Sequence, residues 1–125
     1  MKFAAGFAIA TALTLGLGIG AAQASGDAAK GEKTFKKCKA CHTADEGGKH
    51  KAGPNLFGIV GKKAGSTDFK KYKGLKGSDI VWTAENLDHW LENPKKFIGK
   101  KTSMVLKLKK EKDRKNVIEY LKTLK

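Results

Sequence analysis

The chain contains only two cysteines, and "FKKCKACHTA", residues 35–44, holds both, with His42 directly after the second. Three chemistries use two cysteines at this spacing: a disulfide or redox dithiol, a metal site, and a covalent haem anchor. A thioredoxin-like dithiol sits at the start of a helix within a βαβ unit, and the chain shows no such alternation of strand and helix patterns. A disulfide across two residues closes a very short loop and stiffens little. Structural zinc needs four ligands, usually from two paired clusters. Beyond Cys38, Cys41 and His42 only His50 and His89 remain, at no ligand spacing. Cys-x-x-Cys-His is the pattern of c-type haem attachment. Two cysteines about one helical turn apart present both sulfurs along one haem edge, and the next side chain can bring an imidazole beneath the ring.

The first residues support the same choice. Lys2 is followed by an apolar run from Phe3 to Ala22, ending in Ala22-Gln23-Ala24. A basic start, an apolar middle and a small-residue end read as a secretory signal cleaved after Ala24. The run is nearly long enough to anchor in a bilayer, but it is rich in Gly, Ala and Thr, and no charged stop-transfer cluster follows. Cleavage of 24 residues from 125 leaves 101, residues 25–125, enough for one domain. A domain of that size buries only about two-thirds of its unfolded surface, and a large cofactor would complete its core.

The leader carries one basic residue and no acidic one. The 26 basic and 12 acidic residues of the whole chain therefore become 25 and 12, a net charge of +13. Such a surplus goes beyond solubility and points to an acidic partner. Nucleic acid is the usual partner of so basic a chain, but export and the lack of any nucleic-acid motif argue against it. An anionic membrane or an acidic protein surface remains.

Three helices are expected. One spans about 27–40, with Asp27 able to cap it. A second spans about 84–92, capped by Thr83, stopped by Pro94, with Leu87, Trp90 and Leu91 on one stripe. A third spans about 110–124, with Val117, Tyr120, Leu121 and Leu124 on one face. Residues 43–80 are rich in Gly, Lys, Ser and Asp and read as loop. So much loop in a small helical domain calls for something at its centre.

After cleavage Met104, in "KKTSMVLKLKK", is the only methionine. A thioether in so lysine-rich a stretch makes a poor core residue but a sensible soft iron ligand, one that favours Fe(II). His50 and His89 are weaker rivals. His89 lies off the apolar stripe of its helix, and His50 sits between two lysines in a polar loop, the setting of a solvated histidine.

Taken together, "GDAAKGEKTFKKCKACH", "KAGPNLFGIVGKKAG", "YKGLKGSDIVWTAENLDHWLENPKKF" and "DRKNVIEYLKTLK" resemble the class I c-type cytochromes, the group of bacterial cytochrome c2 and mitochondrial cytochrome c. The resemblance covers nearly the whole mature chain and implies an all-α fold wrapped around one haem, its terminal helices crossing. It makes Cys38 and Cys41 the thioether anchors of haem c, with His42 and Met104 the iron ligands. Pro54 would accept the His42 ring N–H, Tyr72 and Trp82 would bind a propionate, and Gly31 would meet Tyr120 at the helix crossing. The chain departs from the family pattern in "IGKKTSM", which lacks the usual proline and is one residue longer. It also departs at Trp90, Leu106 and Lys62, which replace a tyrosine, an aromatic and an arginine.

By the same resemblance the chain is a soluble periplasmic electron carrier and not an enzyme. Its donor would be a bc1-type complex and its acceptor a photosynthetic reaction centre or terminal oxidase. Lys37, Lys39, Lys51, Lys95, Lys96, Lys100, Lys101, Lys109 and Lys110 flank the haem motif and the methionine loop and would steer such partners. Alternatives are a peroxidase-type haem enzyme with an open sixth position, a carrier serving another periplasmic redox enzyme, and a haem-binding or membrane-surface module.

Overall fold

A computed structural model of the chain describes residues 26–125. The expected leader and its cleavage point after Ala24 lie outside the described residues. Among those residues there are four helices and no strand: α1 (Ala28–Phe35), α2 (Ala84–Glu92), α3 (Pro94–Ile98) and α4 (Glu111–Lys122). The only sheet-like pairing is an isolated antiparallel bridge between Lys63 and Val81. The expected all-α fold is observed.

Three of the four helices start where a side chain can satisfy a free backbone N–H group of the first turn, and only α4 has no such cap. The Asp27 carboxylate accepts from Lys30 N at 3.0 Å, and the Thr83 hydroxyl accepts from Asn86 N at 3.1 Å. α1 is shorter than the expected 27–40. Past Phe35 the amides of Lys36, Lys37 and Cys38 bond three residues back instead of four, so the helix tightens into turns through Cys41. Pro94 does more than stop α2. It is fully buried and opens α3, with the Asn93 side chain accepting from Lys96 N at 3.1 Å. A proline without N–H fits a first helical position, where no partner is needed. Gly99, in the left-handed region at φ 65°, closes α3.

α1 and α4 pack across each other, and α2 packs on α4 and α3. The α1–α4 crossing joins the two ends of the domain. Asp27 N donates to Asn116 Oδ1 at 2.8 Å, and the rings of Phe35 and Tyr120 lie 5.1 Å apart. Gly31 makes this approach possible: a Cβ there would fall 1.9 Å from Asn116 O and 2.9 Å from the Tyr120 Cβ. The expected contact of Gly31 with Tyr120 is therefore present, and the Asn116 backbone is closer still. The apolar stripes meet in one core that includes Phe35, Leu87, Trp90, Leu91, Val117 and Leu121.

The long irregular stretch is held by backbone bonds between its own turns and to the residues just past α4. Gly58 N donates to Leu124 O at 2.6 Å, Ala64 N to Ile80 O at 2.7 Å, and Trp82 N to Lys62 O at 2.8 Å. His50, expected to be solvated, is half-buried instead. Its Nδ1 accepts from Asn55 N at 2.9 Å, its Nε2 lies 2.6 Å from Asp68 Oδ1, and Phe69 packs edge-on to the ring. The imidazole finds partners in a remote loop that the adjacent lysines do not reveal.

Gly31→Ala is expected to force the crossing helices apart and destabilise the domain by about 2–3 kcal/mol, the scale of overpacking a tight contact. In a thermal melt followed by circular dichroism the midpoint should fall by roughly 10 °C. An unchanged midpoint would mean the crossing is looser than the distances require.

Candidate functional site

The core has a gap at its centre, a cavity of about 260 Å³. Its lining comes from six stretches of chain: residues 35–42, 52–59, 65–75, 82–91, 102–106 and 117–121. All seven residues expected at the site line it: Cys38, Cys41, His42, Pro54, Tyr72, Trp82 and Met104. Most of the remaining wall is apolar, including Phe35, Leu56, Ile59, Leu75 and Trp90. No Asp or Glu lines the cavity, and His42 is its one histidine.

The turns after α1 carry the motif into this cavity. Cys41 N and His42 N both bond to Cys38 O, at 3.1 and 2.9 Å, so the five residues form one tight turn. No disulfide joins the cysteines. Cys38 is buried and Cys41 exposed. Burial, reinforced by the neighbouring Cys41, pushes the Cys38 thiol up to about 11, so it is protonated at neutral pH.

His42 is fixed from two sides. Its Nδ1 donates to Pro54 O at 2.7 Å, which leaves the Nε2 lone pair free. Burial lowers its pKa below the ordinary histidine value, opposed by the Pro54 bond, and favours the neutral ring. Gly53 lies against that ring: a Cβ there would fall 2.4 Å from Cε1. Gly53 N in turn donates to Cys41 O at 2.7 Å, closing the loop onto the motif. Sequence reasoning named Pro54 and missed Gly53, although its place directly before that proline was the available signal.

Met104 is half-buried and packs against the core while Val105 beside it is 84 % exposed. Inside a lysine-rich stretch, Met104 turns inward together with Leu106 and Leu108. Trp82 is buried, its ring 5.3 Å from that of Trp90. The Tyr72 hydroxyl bonds with Thr67 and its ring meets Phe69 at 5.0 Å and 85°. His50 and His89 do not line the cavity: His50 is engaged as described, and His89 is exposed and stacks on Phe97.

An apolar slit with two thiols, a neutral imidazole with one free nitrogen, and an inward thioether fits a haem group. The nitrogen and soft sulfur donors suit its iron, and the apolar wall suits its ring. By contrast, no cluster of three His, Cys, Asp or Glu side chains able to hold a bare metal ion occurs among the described residues.

The Cytochrome c family model matches residues 28–125. The chain belongs to the cytochrome c family. It is 45 % identical over 117 residues to the cytochrome c2 of Rhodospirillum rubrum, an alignment covering 85 % of this chain and 87 % of that one. It is 50 % identical over 98 residues to the cytochrome c of Theileria annulata, covering 78 % and 85 %. Among solved structures it is similar to cytochrome c2 from Rhodospirillum centenum, with a TM-score of 0.75 at 34 % identity, covering 79 % of this chain and 98 % of that one. Cytochrome cH from Methylobacterium extorquens gives a TM-score of 0.71 at 39 % identity, covering 78 % and 99 %. These likenesses make the chain a class I c-type cytochrome close to cytochrome c2.

Gly53→Ala in this cytochrome is expected to drive a methyl group into the His42 ring. The ratio of haem absorbance to protein in the purified product should fall, along with its thermal midpoint. Normal loading and stability would show that the ring has room to move.

Proposed function

We propose that this chain is a soluble, monomeric, periplasmic single-haem electron carrier. Cys38 and Cys41 would hold haem c covalently, and His42 and Met104 would ligate its iron. The observation that carries this reading is that the imidazole and the thioether, 62 residues apart in sequence, line the same apolar cavity as both cysteines. Haem held there supplies a one-electron Fe(III)/Fe(II) couple.

The chain's own residues account for the rest. Pro54 and Gly53 orient the His42 ring so that its free nitrogen needs no rearrangement between redox states. Met104 would be the second side chain to hold the iron and so keep small oxidants from binding. Its thioether favours the reduced state and raises the potential. Tyr72 and Trp82 would contact a propionate. The apolar wall keeps water out, which limits reorganisation as charge changes. A peroxidase-type enzyme needs a side chain to move protons at the open iron face. The cavity lining offers neither a carboxylate nor a second histidine for that task.

Lys37, Lys71 and Lys73 line the cavity. Lys37 belongs to the expected steering set, and Lys71 and Lys73 extend it. Positive charge at the cavity would attract acidic surfaces of membrane redox complexes. A bc1-type complex as donor, and a photosynthetic reaction centre or terminal oxidase as acceptor, have the right chemistry. Export through the leader would deliver the chain to them. No helix among the described residues is long and apolar enough to cross a membrane.

A reduced-minus-oxidised spectrum should show narrow α and β bands. The double variant Cys38→Ala, Cys41→Ala should retain no haem on a denaturing gel. Haem retained by that variant would remove the basis of the assignment. Met104→Ala should abolish the weak far-red sulfur–iron band of the ferric protein, admit small ligands and lower the potential. A band that survives would mean another residue holds the iron.

Electron transfer to an isolated acidic partner should slow steeply between 0.01 and 0.1 M salt, as the Debye length contracts from about 30 to about 10 Å. Charge reversal at Lys37 or Lys73 should slow it more than reversal at Lys122 or Lys125. Equal effects at all four would reduce the lysines to a net-charge effect.

A further inference from the structure

Arg114 is the one buried charged residue among the described residues, only 6 % exposed. It lies on α4, outside the cavity lining. Its Nε donates to Asp88 Oδ1 at 2.8 Å, and its Nη2 lies 3.4 Å from Glu92 Oε2. Both carboxylates belong to α2. Its Nη1 donates to two backbone carbonyls, Leu108 O at 2.9 Å and Lys109 O at 3.0 Å. Burying a guanidinium is costly unless its donors are paired, and a well-packed apolar residue could join α2 to α4 without that cost. What an apolar residue could not do is grip the two carbonyls.

Those carbonyls end the segment that carries Met104. Upstream, the segment leaves α3 at Gly99, whose N–H bonds to Lys95 O at 2.9 Å. Downstream, the chain returns to the body at Leu108, whose side chain is buried and whose N–H donates to Leu91 O at 2.8 Å. Leu108 is thus held at its N–H by α2, and at its carbonyl by Arg114. Between these anchors the Met104 amide has a local partner, Thr102 Oγ1 at 3.2 Å. The segment contains no proline to stiffen it, so its end points carry more of the constraint.

We propose that Arg114 is a positioning residue for Met104. By fixing the Leu108–Lys109 backbone against α2, it limits how far the segment from Gly99 to Leu108 can swing the thioether out of the cavity. This rests on the reading of Met104 as an iron ligand. The planar guanidinium matters, because it donates toward two carboxylates and two carbonyls at once, whereas a lysine ammonium cannot span both sets.

The test uses the haem-loaded protein and two readouts. In the parent, hydrogen exchange should show the Leu108 amide protected like those of Val117–Leu121 in α4, with residues 100–106 exchanging faster. A Leu108 amide that exchanges with its loop neighbours overturns the proposal. In Arg114→Lys, Leu108 should lose protection while α4 keeps it. The ferric protein should then bind imidazole, a competitor for the Met104 position, about tenfold more tightly, since apparent affinity scales with the open fraction. Arg114→Met should show a larger effect, and where it fails to accumulate, Arg114→Lys carries the test alone.

Parent-like imidazole affinity with a lowered global unfolding midpoint would mean Arg114 only stabilises the fold, and overturns the positioning role. Met104→Ala separates the two failures. If it binds imidazole no better than the parent, the ligand reading fails and the proposal with it. If it binds much better while both Arg114 variants match the parent, only the positioning role fails.

Discussion

The bond from His42 Nδ1 to the Pro54 carbonyl is the point on which the rest of this structure turns. It selects the tautomer, leaves the other ring nitrogen free, and joins the motif after α1 to the loop that crosses beneath it. The bond depends on Gly53, since a side chain there would occupy the space of the ring. It depends also on the tight turn from Cys38 to His42, which aims the imidazole inward. An imidazole free to rotate could meet an iron in several ways. One clamped by a backbone carbonyl would meet it in one way.

Around that clamp the domain is built as a shell. Apolar side chains from α1, α2 and α4 point at a common cavity instead of only at one another, and an irregular stretch of chain completes the wall. Such a wall gains when something apolar fills it, because unfilled space forfeits the dispersion contacts on one side. The same arrangement explains why long loops are tolerated here. Their backbone bonds return to Leu124, Ile80 and Lys62, so they are ordered without being helical or extended.

Much of this was legible in the sequence. Asp27 and Thr83 cap the helices expected of them, and Leu87, Trp90 and Leu91 form the stripe their spacing implies. These are local signals, decided within one or two turns. The motif and Met104 also stood out, because both are chemically out of place elsewhere, and both line the cavity. What stayed hidden was decided by partners far away in the chain. Pro94 stops one helix and begins another because Asn93 can cap it, so a stop signal was also a start. His50 read as solvated from its lysine neighbours, but its true neighbours are Asn55, Asp68 and Phe69. Lys71 and Lys73 come to the cavity through a loop whose path no periodicity reveals. Arg114 sits among charged neighbours on α4, and only the meeting of α2, α4 and the end of the methionine segment makes it a buried charge.

The α1–α4 crossing has a consequence for the order in which the domain can form. The bond from Asp27 to Asn116 spans 89 residues, so α1 leaves the ribosome long before the residues of α4 that complete its packing. Contacts this distant can form only once nearly all of the chain has been made, and closing them costs chain entropy that a local turn does not. Until they close, Phe35 has no Tyr120 to pack on and Cys38 has no core to enter. A thiol that the finished fold buries is therefore open to chemistry for as long as the far end of the chain has yet to arrive.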